Sequence, residues 1–132
     1  MQDQHDAIDF TDNSITVVGN FPLMRRLRTL LLANNRVTSV SPALHLSTPA
    51  LCTLVLTNNS LAELGDLEPL RELRTLTFLI LLGNPVREKK WYREWLAWRV
   101  PSLRVLDFQR IRDKVRRRPP PARDCRPQHD SR

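Results

Sequence analysis

Four asparagines, Asn13, Asn35, Asn59 and Asn84, each close the same apolar phrase. The phrases run Ile8-x-Phe10-x-x-Asn13-x-Ile15, then Leu27-x-x-Leu30-x-Leu32-x-x-Asn35-x-Val37. They continue as Leu51-x-x-Leu54-x-Leu56-x-x-Asn59-x-Leu61 and Leu76-x-x-Leu79-x-Leu81-x-x-Asn84-x-Val86. An incomplete fifth copy follows at Leu103-x-x-Leu106-x-Phe108. No other property of the chain restricts its fold as much, because a unit this short cannot bury its own apolar face and must stack on its neighbours.

Successive asparagines are 22, 24 and 25 residues apart, within the span of about 20–29 residues that marks leucine-rich repeats. The expected fold is therefore an α/β leucine-rich-repeat solenoid, with a short parallel sheet on the concave face and a C-terminal helical cap. Alternate strand positions (Leu30 and Leu32, Leu54 and Leu56, Leu79 and Leu81) point inward, as a period of two requires. Each asparagine amide is placed to satisfy turn backbone groups that would otherwise be buried unpaired. Their role is structural.

The outward strand positions line the concave face. One row is read as Asp9, Leu31, Val55, Ile80 and Val105. It is flanked by Ala7, Thr29, Thr53 and Phe78 on one side and by Thr11, Ala33, Thr57, Leu82 and Gln109 on the other. These residues are small or apolar, with Asp9 and Asp107 as the acidic points. Catalytic or sugar-binding surfaces carry clustered polar groups, whereas an exposed apolar strip suits an amphipathic helix of a protein partner. Threonine and valine are equally consistent with plain strand propensity. Leu31, Phe78, Ile80 and Leu82 favour the partner.

Residues 1–108 carry 12 Lys/Arg against 11 Asp/Glu, and residues 109–132 carry 9 against 3. The domain is accordingly read as residues 1–108, followed by a basic, Pro-rich tail over 109–132. That tail is expected to continue as a short helix to about Arg117, to stop at Pro119–Pro121 and to be disordered beyond. Arg116-Arg117-Arg118 is a short basic cluster compatible with nuclear import, with nucleic acid or with simple solvation. Cys52 and Cys125 show neither metal-ligand spacing nor a disulfide framework, which points to a reducing compartment. No apolar run approaches the length of a membrane span, so no membrane association is expected. His5, His45 and His129 are scattered. The sequence offers no catalytic site, metal site, cofactor or small-molecule substrate.

Trp91, Trp95 and Trp98 fall four and three residues apart within Lys89-Lys90-Trp91-Tyr92-Arg93-Glu94-Trp95-Leu96-Ala97-Trp98-Arg99. This spacing puts them on one face of a helix that Pro101 ends. Stacking on RNA bases is one use for such aromatics. Covering the last repeat is the simpler one, expected above all of Trp95 and Trp98.

Several non-consensus stretches carry a resemblance to a known family. Asp6-Ala-Ile-Asp-Phe-Thr-Asp-Asn13, Phe21-Pro-Leu-Met-Arg-Arg-Leu-Arg-Thr-Leu30, Leu56-Thr-Asn-Asn-Ser-Leu61, Leu64-Gly-Asp-Leu67 and Val105-Leu-Asp-Phe-Gln109 resemble the A-prime family of the spliceosomal U2 small nuclear ribonucleoprotein. Asn84-Pro-Val, with Lys89-Lys90 and Tyr92-Arg93, is similar to that family's last repeat and cap. The resemblance covers about residues 5–115.

It implies a non-enzymatic nuclear protein of pre-mRNA splicing. The concave sheet would hold a helix of the RNA-recognition domain of the B-double-prime protein, and the pair would bind a stem-loop of U2 snRNA. The implied partner-binding residues are Asp9, Thr29, Leu31, Thr53, Val55, Phe78, Ile80 and Val105. The implied RNA-binding residues are Arg25, Arg26, Arg28, Lys89, Lys90, Arg110 and Arg112. Their contacts would supply salt-sensitive phosphate binding rather than base reading, mainly within the complex.

The family begins with a further helix and repeat, whereas five residues precede Asp6 here. An N-terminally shortened member is thus implied, with an uncapped edge at Ile8 and Phe10 and an expectation of lower stability or self-association. After Lys114 the tail diverges from the family's mixed-charge helix. A different intracellular leucine-rich-repeat adaptor, of the phosphatase-regulator or nuclear-phosphoprotein type, is the alternative. Such proteins would call for more repeats or an acidic tail. An autonomous RNA binder would need a basic body.

Overall fold

The computed structural model of the protein describes residues 6–112. In chain order the elements are β1 (Ala7–Asp9), β2 (Val17–Val18), β3 (Thr29–Leu31), β4 (Ser39–Val40) and α1 (Leu44–Ser47). They continue with β5 (Thr53–Val55), β6 (Phe78–Ile80), α2 (Tyr92–Arg99), β7 (Val105–Leu106) and β8 (Gln109–Arg110). Two 3-10 segments, Leu64–Glu72 and Pro85–Glu88, lie on the returning side.

The repeat phrases become the strands. β1, β3, β5, β6 and β7 lie side by side in that order, all parallel, and β8 adds to β7 in the antiparallel sense. Opposite one another stand Ile8, Leu30, Leu54, Leu79 and Leu106. The last four are fully buried, as are Leu27, Leu32, Leu51, Leu56, Leu76, Leu81 and Leu103. Each strand is only two or three residues long, so its stability comes from this continuous apolar core. On the returning side β2 and β4 form a second parallel pair. In Leu64–Glu72 the buried residues Leu64, Leu67 and Leu70 recur every three positions, the period at which a 3-10 helix presents one face.

Two polar ladders hold the turns. Asn35, Asn59 and Asn84 are buried. Asn59 Nδ2 donates to the carbonyls of Leu32, Leu56 and Thr57, at 2.9, 2.9 and 3.2 Å, while its Oδ1 accepts the Val37 N–H at 2.9 Å. Asn35 and Asn84 repeat the pattern on Ile15 N–H and Leu61 N–H. Each amide therefore pins its own turn and staples it to the preceding repeat. One position earlier stands a second ladder, unnoticed in the sequence. Asp12, Asn34, Asn58 and Gly83 all take positive φ, from 56° to 79°, where Asn, Asp and Gly carry the smallest steric cost. Asn34 Nδ2 donates to Asp12 Oδ1 at 2.8 Å, and Asn58 Nδ2 to Asn34 Oδ1 at 3.0 Å. At Gly83 a Cβ would come within 2.1 Å of Asn58 Oδ1, so this step of the ladder has no room for a side chain.

The C-terminal end departs from the sequence expectation in three ways. First, Trp91 lies outside α2 in the left-handed region (φ 65°), Trp95 is fully buried and Trp98 remains 38 % exposed. Only Trp95 of the three caps the core completely. Second, the folded body does not stop at residue 108. Gln109–Arg110 form β8, not the start of a helix, and the Ile111 side chain joins the core with 6 % exposure. Third, Phe108 does not enter the core as the leucines two places beyond Leu30, Leu54 and Leu79 do. It is 69 % exposed because the chain reverses there in a two-residue turn, with Asp107 and Phe108 both at positive φ. The expected helix to Arg117, the disordered tail, the basic cluster Arg116–Arg118, Cys125, His5 and His129 lie outside the described residues.

Candidate functional site

The concave face is built from strand residues that alternate with the buried leucines. Strand register defines its rows directly. Ala7, Thr29, Thr53, Phe78 and Val105 form one row, and Asp9, Leu31, Val55 and Ile80 form the next. Val105 thus stands beside Phe78 and not in the Ile80 row where the sequence reading put it. The misplacement is one pleat, two residues: Val105 opposite Ile80 would set Arg104 against Leu79, whereas Leu106 is the residue that stands there. Gln109, expected in the third row, instead pairs with Leu106 on the antiparallel strand.

Thr29, Leu31, Thr53, Val55, Phe78 and Val105 are all half-buried, as shallow groove residues should be. Ile80 differs. It is 1 % exposed although it lies outside the interior leucine cluster. A charge at this position would be expelled by the fold itself, so Ile80→Asp would not separate binding from folding. Asp9 ends the row on the exposed side of β1. Its Oδ1 accepts the Thr11 N–H at 2.9 Å, and hydrogen bonding from Thr11 holds its carboxyl below the ordinary aspartate value.

The seven basic residues do not gather into one patch. Arg25, Arg26 and Arg28 lead into the N-terminal end of β3, and all are exposed. Arg26 pairs with Asp6 at 3.2 Å. Arg110 is opposite Val105 on β8, near the same end of the sheet but four strands away, roughly 19 Å at the usual strand spacing. Arg112 follows it and is exposed. Lys89 and Lys90 come after the C-terminal end of β6, on the opposite edge. Lys89 pairs with Glu63 at 3.0 Å, and Lys90 lies over the Trp91 ring, 5.8 Å from its centroid. Arg104, missed by the sequence reading, is exposed and takes the place of Arg28 in the last repeat. The signal for it was available: the backbone row Arg28, Cys52, Thr77, Arg104 is the position just before each strand.

Behind the last strand lies a fixed polar cluster. Asp107 accepts from Leu81 N–H through Oδ1, at 2.6 Å, and from Tyr92 Oη and Arg87 Nε through Oδ2, at 2.7 and 3.0 Å. Burial, and then the bond to Asp107, push the Tyr92 hydroxyl above its ordinary pKa. Arg93 donates to the carbonyls of Leu106, Gln109 and Arg110, at 3.1, 2.9 and 2.8 Å. The Tyr92 hydroxyl, Arg87 Nε and both Arg93 terminal nitrogens are thus engaged in holding the last strand and its turn. Among the described residues no three His, Cys, Asp or Glu side chains converge on a metal position, and no helix is long and apolar enough to cross a membrane.

A family model described as Leucine-rich repeat matches residues 1–123. The chain is 57 % identical over 111 residues to the U2 small nuclear ribonucleoprotein A' of Aspergillus fumigatus, covering 84 % of this chain and 44 % of the relative. To the human U2 small nuclear ribonucleoprotein A' it is 54 % identical over 114 residues, 86 % of this chain and 45 % of the relative. The chain spans about half the length of these relatives. Among solved structures, the Drosophila melanogaster SNF/U2A' complex contains a chain that superposes with a TM-score of 0.85 at 46 % identity, over 87 % of this chain and 66 % of that one.

Proposed function

Since the chain belongs to the U2 small nuclear ribonucleoprotein A' family of leucine-rich-repeat proteins, we propose that it is a non-enzymatic binding module of the spliceosome, working in the nucleus. Its concave rows receive one helix of the RNA-recognition domain of a B-double-prime protein. The pair then binds a stem-loop of U2 snRNA during pre-mRNA splicing.

The observation that carries this reading is the apolar strip Leu31, Val55, Phe78 and Val105, half-buried and without a charge among them. Desolvating such a strip costs little, and a helix with apolar residues at i, i+3 and i+4 is the kind of partner that fills an apolar groove. The Drosophila melanogaster relative was solved in a complex with SNF, which supports a protein partner for this chain. RNA contact comes through the exposed edges. Arg25 and Arg28 would meet phosphate on one side, with Lys90 on the other, adding salt-sensitive affinity but no base selection. The nearly even charge of residues 1–108 argues for RNA binding through the complex rather than alone.

The test is size-exclusion chromatography of the chain with the B-double-prime RNA-recognition domain, with and without the U2 stem-loop. Co-elution strengthened by RNA is expected, and Leu31→Asp should abolish it while the variant stays folded. A folded wild-type chain that never co-elutes would refute the reading and leave a repeat adaptor for another partner.

A further inference from the structure

Phe108 is the most exposed large apolar side chain among the described residues, at 69 %. It occupies the second position of the β7–β8 turn with φ 66°. Two-residue hairpin turns with positive φ at both positions are filled mostly by Asn, Asp and Gly. A phenylalanine there is sterically disfavoured and persists only where the surroundings hold it. The surroundings do hold it. The preceding Asp107 is tied to Leu81 N–H, Tyr92 and Arg87, and Arg93 clamps the carbonyls on both arms of the turn. Those groups fix the backbone, yet they leave the ring in solvent. The ring meets Phe78 edge-on, with centroids 5.9 Å apart at 75°, on the side of the sheet that faces away from the core.

We propose that Phe108 is an anchoring residue of the concave face, presented by the β7–β8 turn to grip the apolar stripe of the partner helix. This rests on the reading that such a helix occupies the concave rows. Phe108 extends that surface beyond Phe78 and Val105 with an aromatic whose backbone is already fixed before binding. Preorganised aromatics of this kind lose little freedom on association and are the residues on which interface affinity concentrates. An apolar ring left in water at a strained position is a poor contributor to the free chain. In a complex it has a use.

The substitution that separates these roles is Phe108→Asn, because Asn adopts the left-handed region readily. The expected result is an unchanged or raised Tm, together with affinity for the B-double-prime RNA-recognition domain weakened by about tenfold or more. Phe108→Tyr, which keeps the ring, should bind within about threefold of wild type, since the ring supplies most of an aromatic anchor's contact area. If Phe108→Asn lowers Tm while affinity stays at the wild-type level, the ring serves only to pack Phe78 and the proposal falls. If the wild-type chain itself shows no affinity, the concave-helix reading falls and this inference with it. A second measurement leaves the fold untouched. In chain labelled with fluorophenylalanine, the Phe108 resonance, identified by its loss in Phe108→Tyr, should shift at saturating partner. A resonance that stays in place while the partner binds overturns the proposal.

Discussion

The asparagine staple predicts that two copies of one motif differ sharply in what they contribute. In Asn59→Ala the Val37 N–H loses the acceptor that satisfies it, and Val37 is fully buried. An orphaned buried donor costs about 1–3 kcal/mol. The three carbonyls that Asn59 served each keep another partner: Leu32 O retains Asn35, Leu56 O retains Asn84, and Thr57 O retains the Asn34 N–H. Their lost bonds therefore add only about 0.5–1 kcal/mol each. The expected loss is about 2.5–6 kcal/mol, a large part of a typical domain stability of about 5–15 kcal/mol. Asn13 has the same place in the first phrase, but it is exposed and donates only to Phe10 O and Thr11 O. Phe10 O also keeps the Asn35 amide, and water can replace the rest. Asn13→Ala should cost less than about 1 kcal/mol. Urea denaturation of the two variants beside wild type, at one pH and with matched m-values, measures the contrast. Equal losses in the two variants would refute the staple and leave the asparagines as turn formers alone.

Further outcomes follow from the ends of the solenoid and its edges. Tyr92 is the chain's single tyrosine, and its raised folded pKa means the native state keeps a proton that the unfolded chain loses near pH 10. Its contribution is thus fully present below that pH and declines above it, by up to about 1.4 kcal/mol per pH unit. Denaturant midpoints from pH 9 to 11 should fall more steeply in wild type than in Tyr92→Phe; parallel curves would exclude the linkage. Gly83→Ala should cost about 1–2 kcal/mol from the left-handed backbone alone, plus the clash with Asn58 Oδ1. That second part should vanish in an Asn58→Gly background, and a strictly additive double mutant would rule the clash out. Replacing Arg25 and Arg28 by Ala should flatten the salt dependence of RNA binding by the complex by about one to two units in log–log slope. An unaltered slope would leave these arginines as solvated charge.

The sequence by itself carried the solenoid: the repeated phrase, the inward leucines, the buried asparagines and the apolar outward rows all follow from a period that each unit states for itself. Local chemistry suffices there because every internal repeat meets the same neighbour on each side. The left-handed ladder was also legible in principle, since Asp12-Asn13, Asn34-Asn35, Asn58-Asn59 and Gly83-Asn84 are all pairs that tolerate positive φ. At the last described repeat the period stops being informative, because among the described residues the neighbour of β7 is the antiparallel β8 and not another repeat strand. There the chain turns back as β8, buries Ile111 and exposes Phe108, under the control of Tyr92, Arg87 and Arg93, none of which belongs to the strand they hold. The burial of Ile80, on an internal strand, and the separation of Arg25 and Arg28 from Arg110 by four strands are likewise properties of the assembled sheet that no single repeat states. A repeat pattern specifies what each unit wants from its neighbours, and only the assembled stack decides what happens where the neighbours run out.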